Sequence, residues 1–335
     1  MSSKVSIVII GRNEEHSIGK CIDAAIVAAE QIGGAELIYV DSNSTDSTVE
    51  VVEKYGVNAV MLDPRLRASP SAGRYDGSMR ATGDYILFLD ADTLIYPDFL
   101  PIAIEQLDGD ETLGGVNGRI DDFNEAGEQI FDVDERSDEI MSVKWLRGPA
   151  CFYRRDALLN AGSFNPDIAI EEEAELGLRM LRCGWRLQAV PQPMARHTRC
   201  YHGNSLESII STFKRDMSSN RLGEGTRTIR YAFKAGNGLA FCWLRLKTTI
   251  IFTIWIMVLT FCFFLPPNFH PQIVTALIVL IGGLALLKKK RSIHQTLLFF
   301  LAKILSLVDL LAGLGKFPIK ETPLNLRSKS SPRRV

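Results

Sequence analysis

Over roughly the first ninety positions, short runs of large apolar residues alternate with stretches whose apolar positions recur at helical spacing. Val5-Ser6-Ile7-Val8-Ile9-Ile10 is almost unbroken, the pattern of a strand buried on both faces, and Gly11-Arg12-Asn13-Glu14-Glu15 follows it as a turn. From His16 to Ile32, residues Ile18, Ile22, Ala25, Ile26 and Ala29 fall on one side of a helix. Glu36 to Val40 reads as a second strand, and Thr45 or Asp46 can cap a helix running through Tyr55. A short strand near Ala59–Leu62 leads past Pro64 and Pro70 to a helix near Ala72–Ala81. Tyr85-Ile86-Leu87-Phe88-Leu89 then forms another buried strand. This alternation predicts an α/β fold with a mostly parallel sheet and right-handed crossovers.

The last third has a different pattern. Thr248 to Leu265 is 18 residues without a charge, and a second apolar run covers Ile273 to Leu287 beyond the uncharged loop Pro266–Pro271. Arg245 and Lys247 precede the first run, and Lys288-Lys289-Lys290-Arg291 follow the second. The positive-inside rule predicts a membrane hairpin, with spans near 246–265 and 272–287 and both outer flanks in the cytosol. Residues 295–314 place Gln295, Lys303, Ser306, Asp309 and Gly313 on one helical face, which favours a helix lying in the interface over a third span. The expected organisation is a catalytic domain over 1–235, a membrane region over 236–320 and a disordered basic tail over 321–335.

Charge sharpens that division. The net charge of −1 conceals a C-terminal part, from Leu239, with 13 Lys or Arg against Asp309 and Glu321, a balance of +11. The preceding part carries 25 basic and 37 acidic residues, or −12. Basic residues flanking apolar runs suit an anionic membrane surface and do not suit nucleic acid. The six cysteines contain no Cys-x-x-Cys pair, so buried, reduced thiols and a cytosolic catalytic domain at the inner (plasma) membrane are expected. Met1–Lys4 with Val5–Ile10 does not read as a secretory signal.

Candidate chemistry gathers at the ends of the predicted strands. Asp90-Ala91-Asp92 ends the Tyr85–Leu89 strand, and Asp41 ends the second. Open α/β sheets bind ligands at the carboxyl ends of their strands. Asp90 and Asp92, one residue apart, point the same way and can face one divalent cation or one sugar. Asp41 in a strand-to-helix turn also suits a purely structural Asx-turn. Glu172-Glu173-Ala174-Glu175 opens a further predicted helix, where the dipole favours ionised carboxylates; three glutamates on an exposed helix start would explain it equally well.

In order and spacing, four blocks resemble glycosyltransferase family 2: Val5–Glu15, Val40–Thr48, Arg74–Asp92 and Glu172–Leu187. The resemblance implies a GT-A fold and inverting, metal-dependent transfer of a sugar from a nucleoside-diphosphate sugar, UDP- or GDP-linked. It implies donor binding by Asn13, Glu15, Asp41, Arg74, Asp90 and Asp92, with Asp41 at the base, Asp90 at the ribose or the metal's water shell and Arg74 on the nucleotide. It further implies Mn²⁺ or Mg²⁺ on Asp92, completed by a histidine, with His202 preferred to His197 because a helix over Leu206–Asn220 follows it. Glu173 is the candidate general base; the family usually carries Glu-Asp where this chain has Glu172-Glu173. Lys214, Arg215 and Arg221 could meet the diphosphate or form a solvated face. The absence of Gln-x-x-Arg-Trp from the sequence suggests one addition per encounter.

The apolar third points to a lipid-linked or glycan acceptor, as in polysaccharide biosynthesis. Were the acceptor a bare phosphate, Glu173 would have no proton to remove. A catalytically silent nucleotide-sugar sensor or membrane scaffold is the alternative. A nicotinamide dehydrogenase is disfavoured because Gly11–Glu15 is not Gly-x-Gly-x-x-Gly.

Overall fold

The computed structural model describes residues 4–124, 127–130, 139–198, 210, 214, 223–263, 301, 304–308 and 310–313. These residues form two compact units, one up to residue 198 and one from 210 onward.

The elements of the first unit are β1 (Val5–Gly11), α1 (Ile18–Glu30), β2 (Glu36–Asp41), α2 (Thr48–Lys54), β3 (Asn58–Met61), α3 (Pro70–Arg80), β4 (Tyr85–Asp90), β5 (Thr93–Ile95), α4 (Phe99–Gly109), β6 (Leu113–Phe123), β7 (Gln129–Ile130), β8 (Met141–Val143), β9 (Ala150–Arg154), α5 (Arg155–Asn160), α6 (Glu172–Arg182) and β10 (Arg186–Thr198). One sheet runs β3-β2-β1-β4-β9-β6-β10-β5, with β7 beside β6 and β8 beside β10.

The sheet is mixed, which corrects the expected mostly parallel arrangement. β3, β2, β1 and β4 are parallel, as their helical crossovers require. β9 then runs antiparallel to both β4 and β6, and β10 is parallel to β6 but antiparallel to β5 and β8. β7, close behind β6, also pairs with it antiparallel, because so short a connection cannot make a parallel return.

Alternation along β1 explains why it reads as continuously apolar. Val5, Ile7 and Ile9 pack into a core with α1, whereas Val8 and Ile10 pack into another with residues of α3, α5 and α6. Each such fully buried side chain contributes about 1.5–3 kcal/mol. Gly77 of α3 lets that helix approach β1 and β2 closely, because a Cβ there would collide with Val8 and lie 3.3 Å from Val40. α3 begins at Pro70 because Ser69 caps it, accepting a 3.1 Å bond from the Ala72 N–H, with proline in the first turn.

Cys21 and Cys151 are free and buried as expected; Cys183, also free, is exposed instead because it caps the C-terminus of α6 at the surface.

In the second unit, α7 (Glu224–Lys234) and α8 (Gly238–Phe263) are joined through Gly236 in the left-handed region and an Asn237 N–H to Ala232 O bond of 2.8 Å. The expected first span thus falls on a helix that ends at Phe263. Among the described residues, however, no helix is long and apolar enough to cross a membrane, so the expected transmembrane hairpin is not supported. Its second arm, 272–287, the tail 321–335 and most of 295–314 lie outside the described residues.

Candidate active site

The carboxyl ends of β1, β2 and β4 and the start of α6 assemble the acidic residues expected from the sequence. Two loops form the nucleotide side. The Asn13 N–H donates to Ser44 Oγ at 2.9 Å, and Asn13 Oδ1 accepts from the Thr45 N–H at 2.8 Å. Glu15 Oε2 accepts from the Ser47 N–H at 3.0 Å, while the Glu15 N–H donates to Asp46 Oδ2 at 3.2 Å. Asn13 and Asn43 both sit in the left-handed backbone region, at φ 59° and 64°, a conformation that asparagine tolerates better than most residues. Asn13 and Glu15 therefore stitch the loop after β1 to the loop after β2.

Asp41 is fully buried beneath these loops. Its carboxylate accepts from the Ser44 N–H at 2.7 Å, the Ser44 hydroxyl at 2.5 Å and the Tyr39 hydroxyl at 3.2 Å. It shapes the loop as an Asx-turn and does not project into solvent.

Arg74, on α3, is 1 % exposed, so its guanidinium does not offer a free fork to a nucleotide. Nη2 donates to Asp90 Oδ1 at 2.8 Å and to the Gly148 carbonyl at 2.9 Å. Nη1 donates to Glu172 Oε1 at 2.9 Å and to Glu173 Oε1 at 3.2 Å. Phe164 lies 5.5 Å from the guanidinium carbon. Burial raises the Asp90 carboxyl to about 6, against the pull of Arg74 and with a smaller push from Asp92. Glu173 is raised well above the usual carboxylate range, first by burial and then by the charge of Glu172, with Arg74 opposing.

The glutamates do not decorate an exposed helix start. Glu172 and Glu175 are buried, and Glu175 takes a two-pronged contact from Arg179 at 2.7 and 2.8 Å. Glu171, just before α6, has φ 61°. Glutamate rarely adopts that conformation, and it is the kind of local strain found at functional sites.

The third corner pairs Asp92 with a histidine. His197 on β10 places Nε2 3.6 Å from Asp92 Oδ2, and its Nδ1 is 2.9 Å from Asp122 Oδ1. Arg147 backs Asp122 at 3.3 Å. Burial lowers the proton affinity of His197, but the Asp122 hydrogen bond and then Asp92 outweigh it and push the imidazole up to about 9. Within the protein, Asp90 contacts Arg74 and Asp92 contacts His197. His202 and the expected helix 206–220 lie outside the described residues apart from positions 210 and 214, as do Arg215 and Arg221. Among the described residues no group of three or more His, Cys, Asp or Glu is arranged to hold a metal.

Sequence reasoning missed Asp122, Arg147 and Gly148. Asp122 follows Asp121 near the end of β6 and Arg147-Gly148-Pro149 precedes β9. The β6–β10 pairing sets Asp122 beside His197, and the antiparallel insertion of β9 between β4 and β6 brings Arg147 and Gly148 to the site.

The profile of glycosyl transferase family 2 matches residues 6–161, and that of glycosyl transferase family group 2 matches residues 85–286. Poly(ribitol-phosphate) beta-glucosyltransferase of Bacillus spizizenii is 34% identical over 126 residues, which are 35% of this chain and 20% of that protein. Poly-beta-1,6-N-acetyl-D-glucosamine synthase of Staphylococcus aureus is 26% identical over 172 residues, 48% of this chain and 42% of that one. The chain therefore spans less than half the length of these curated relatives. Among solved structures, the mannosyltransferase PcManGT of Pyrobaculum calidifontis, in complex with GDP-Man and Mn²⁺, superposes with a TM-score of 0.61 at 16% identity, over 94% of this chain and 88% of that one. Residues 1–349 of S. aureus TarS give a TM-score of 0.54 at 15% identity, over 73% of each chain. The second profile covers more than half of the chain, and the chain belongs to glycosyl transferase family group 2.

Proposed function

We propose that the chain transfers a sugar, with inversion, from a UDP- or GDP-linked donor to a lipid-linked or polymeric glycan acceptor, with Glu173 as general base. One observation carries this reading: a single buried guanidinium, Arg74, ties the Glu173 carboxylate to Asp90 at the sheet's ligand-binding edge. The raised proton affinity of Glu173 suits a group that takes a proton near neutral pH. Asp41 and the stitched loops preform the nucleotide side, and Asp90 faces the ribose.

Asp92 and His197 supply two of the donors that a divalent cation would need. Asp92 offers a hard oxygen, and His197 is held by Asp122 through one ring nitrogen with the other turned toward Asp92, the arrangement that orients a metal-binding imidazole. Mn²⁺ or Mg²⁺ held by Asp92 and His197 would supply neutralising charge for the leaving diphosphate. Asp122 and Arg147 hold that corner in place.

The names of the two relatives above, a poly(ribitol-phosphate) beta-glucosyltransferase and a poly-beta-1,6-N-acetyl-D-glucosamine synthase, support a polymeric acceptor. Large apolar side chains exposed on α8, among them Trp243, Ile251, Ile254 and Met257, support association of the second unit with a lipid surface at the cytosolic face.

The test is donor hydrolysis across UDP- and GDP-sugars, with and without Mn²⁺ or Mg²⁺. Glu173→Gln is expected to lower turnover about 10²-fold or more, and near-normal rates overturn the base. Asp92→Ala is expected to abolish the metal-dependent part of turnover. Nucleotide binding without turnover of any donor would favour a silent sensor.

A further inference from the structure

Three consecutive residues before β9 each touch a different part of the site. The Arg147 side chain backs Asp122 at 3.3 Å, and its N–H donates to Asn117 Oδ1 at 3.3 Å. The Gly148 carbonyl accepts from Arg74 at 2.9 Å, and the Pro149 carbonyl accepts from the Asp90 N–H at 3.0 Å. The backbone at Gly148 is thus pinned on both sides.

A Cβ built on Gly148 would overlap Glu173 Oε1 and lie 3.0 Å from Glu173 Cδ and 3.4 Å from Arg74 Nη2. Gly148 does not sit at positive φ, so a left-handed backbone is not what calls for glycine there. The obstacle to a side chain is the carboxylate itself.

We propose that Gly148 is a positioning residue for the reaction, its missing side chain leaving the space in which the Glu173 carboxylate sits against Arg74. The inference rests on the reading of Glu173 as the base. Because the backbone of 147–149 is held on both sides, a methyl group at 148 meets the far end of the Glu173 side chain and displaces its carboxylate from Arg74. The displaced group is the one that must meet the acceptor hydroxyl or, in hydrolysis, water. Mispositioning a reacting group by about 1 Å costs about 10²-fold in rate.

The geometry sets up a reciprocal test. Glu173→Asp withdraws the carboxylate by one carbon–carbon bond, about 1.5 Å, and vacates the space that a methyl at 148 would occupy. Gly148→Ala, Glu173→Asp and the double variant are compared in the full chain. The readouts are kcat for donor hydrolysis and Kd for UDP and GDP with Mn²⁺.

Each single substitution is expected to lower kcat about 10²-fold, with nucleotide Kd within about threefold of the parent. The double variant is expected to be no slower than Glu173→Asp alone, at least about tenfold better than the product of the two single losses. Multiplicative losses, or a nucleotide Kd that weakens in step with kcat in Gly148→Ala, overturn the proposal. Should Gly148→Ala fail to fold, the double variant must recover folding and turnover, and a double variant equally unfolded overturns it. Glu173→Gln at the parental rate would instead overturn the base, and this inference with it. An inactive Glu173→Gln with multiplicative single losses overturns the positioning role alone.

Discussion

Replacing Arg74 by methionine removes the guanidinium shared by Asp90, Glu172 and Glu173 and leaves their carboxylates facing one another. Breaking a buried ion pair from one side costs about 3–5 kcal/mol. The Asp90 side chain is 31 % exposed, which argues for the lower end. Loss of the Phe164 contact adds about 0.5–1 kcal/mol. A deficit of about 3–4 kcal/mol lowers Tm by about 6–16 °C in a unit of this size. The deficit should depend on pH in a defined direction. A carboxyl whose proton affinity is higher in the folded than in the unfolded chain favours folding at low pH. It costs stability as pH rises between the unfolded and folded values. Asp90, at about 6 when folded against 3.8 for the free group, already behaves this way, and so does Glu173. Without Arg74 both move further in that direction, so the variant's deficit is expected to be larger at about pH 8 than at about pH 5. Scanning calorimetry of the parent and variant chains at the two pH values provides the measurement. A Tm difference below about 3 °C, or one that grows on acidification, would refute the clamp.

Two further outcomes are expected. With Glu173 titrating well above 4.5, kcat/KM for donor hydrolysis should rise with pH along a limb that disappears in Glu173→Gln, and a flat profile from about pH 5.5 to 8.5 refutes the poised base. Asp41→Ala deprives the Ser44 N–H, the Ser44 hydroxyl and the Tyr39 hydroxyl of their acceptor, at about 1–3 kcal/mol for a buried group left unpaired. It should weaken UDP or GDP binding at least about tenfold by isothermal calorimetry, whereas unchanged affinity would show that the loop holds its shape without Asp41.

The parallel half of the sheet was legible because its signals are local. Buried strands, helical spacing and turn residues place Asp41, Asp90 and Asp92 within a few positions of where they lie. The antiparallel half was not legible. β9 enters the sheet between β4 and β6, and nothing in Ala150–Arg154 announces a pairing with Tyr85–Leu89 some sixty residues earlier. The same limit explains Arg74. Its helix is readable, but the partners that bury it lie 98 and 99 residues away on α6. Local pattern favours His202 over His197, whereas register against β5 and β6 brings His197 opposite Thr93 and Asp122.

The seam between β4 and β9 also orders events in time. The loops after β1 and β2 come from a βα unit whose strands pair thirty residues apart, Ser6 opposite Glu36, a contact that closes early in folding and emerges first during synthesis. The acid pair on α6 and its Arg74 clamp wait for contacts spanning 98 and 99 residues. A partly folded chain would acquire the nucleotide cradle before it acquires a base, so transfer is confined to molecules whose first unit is complete.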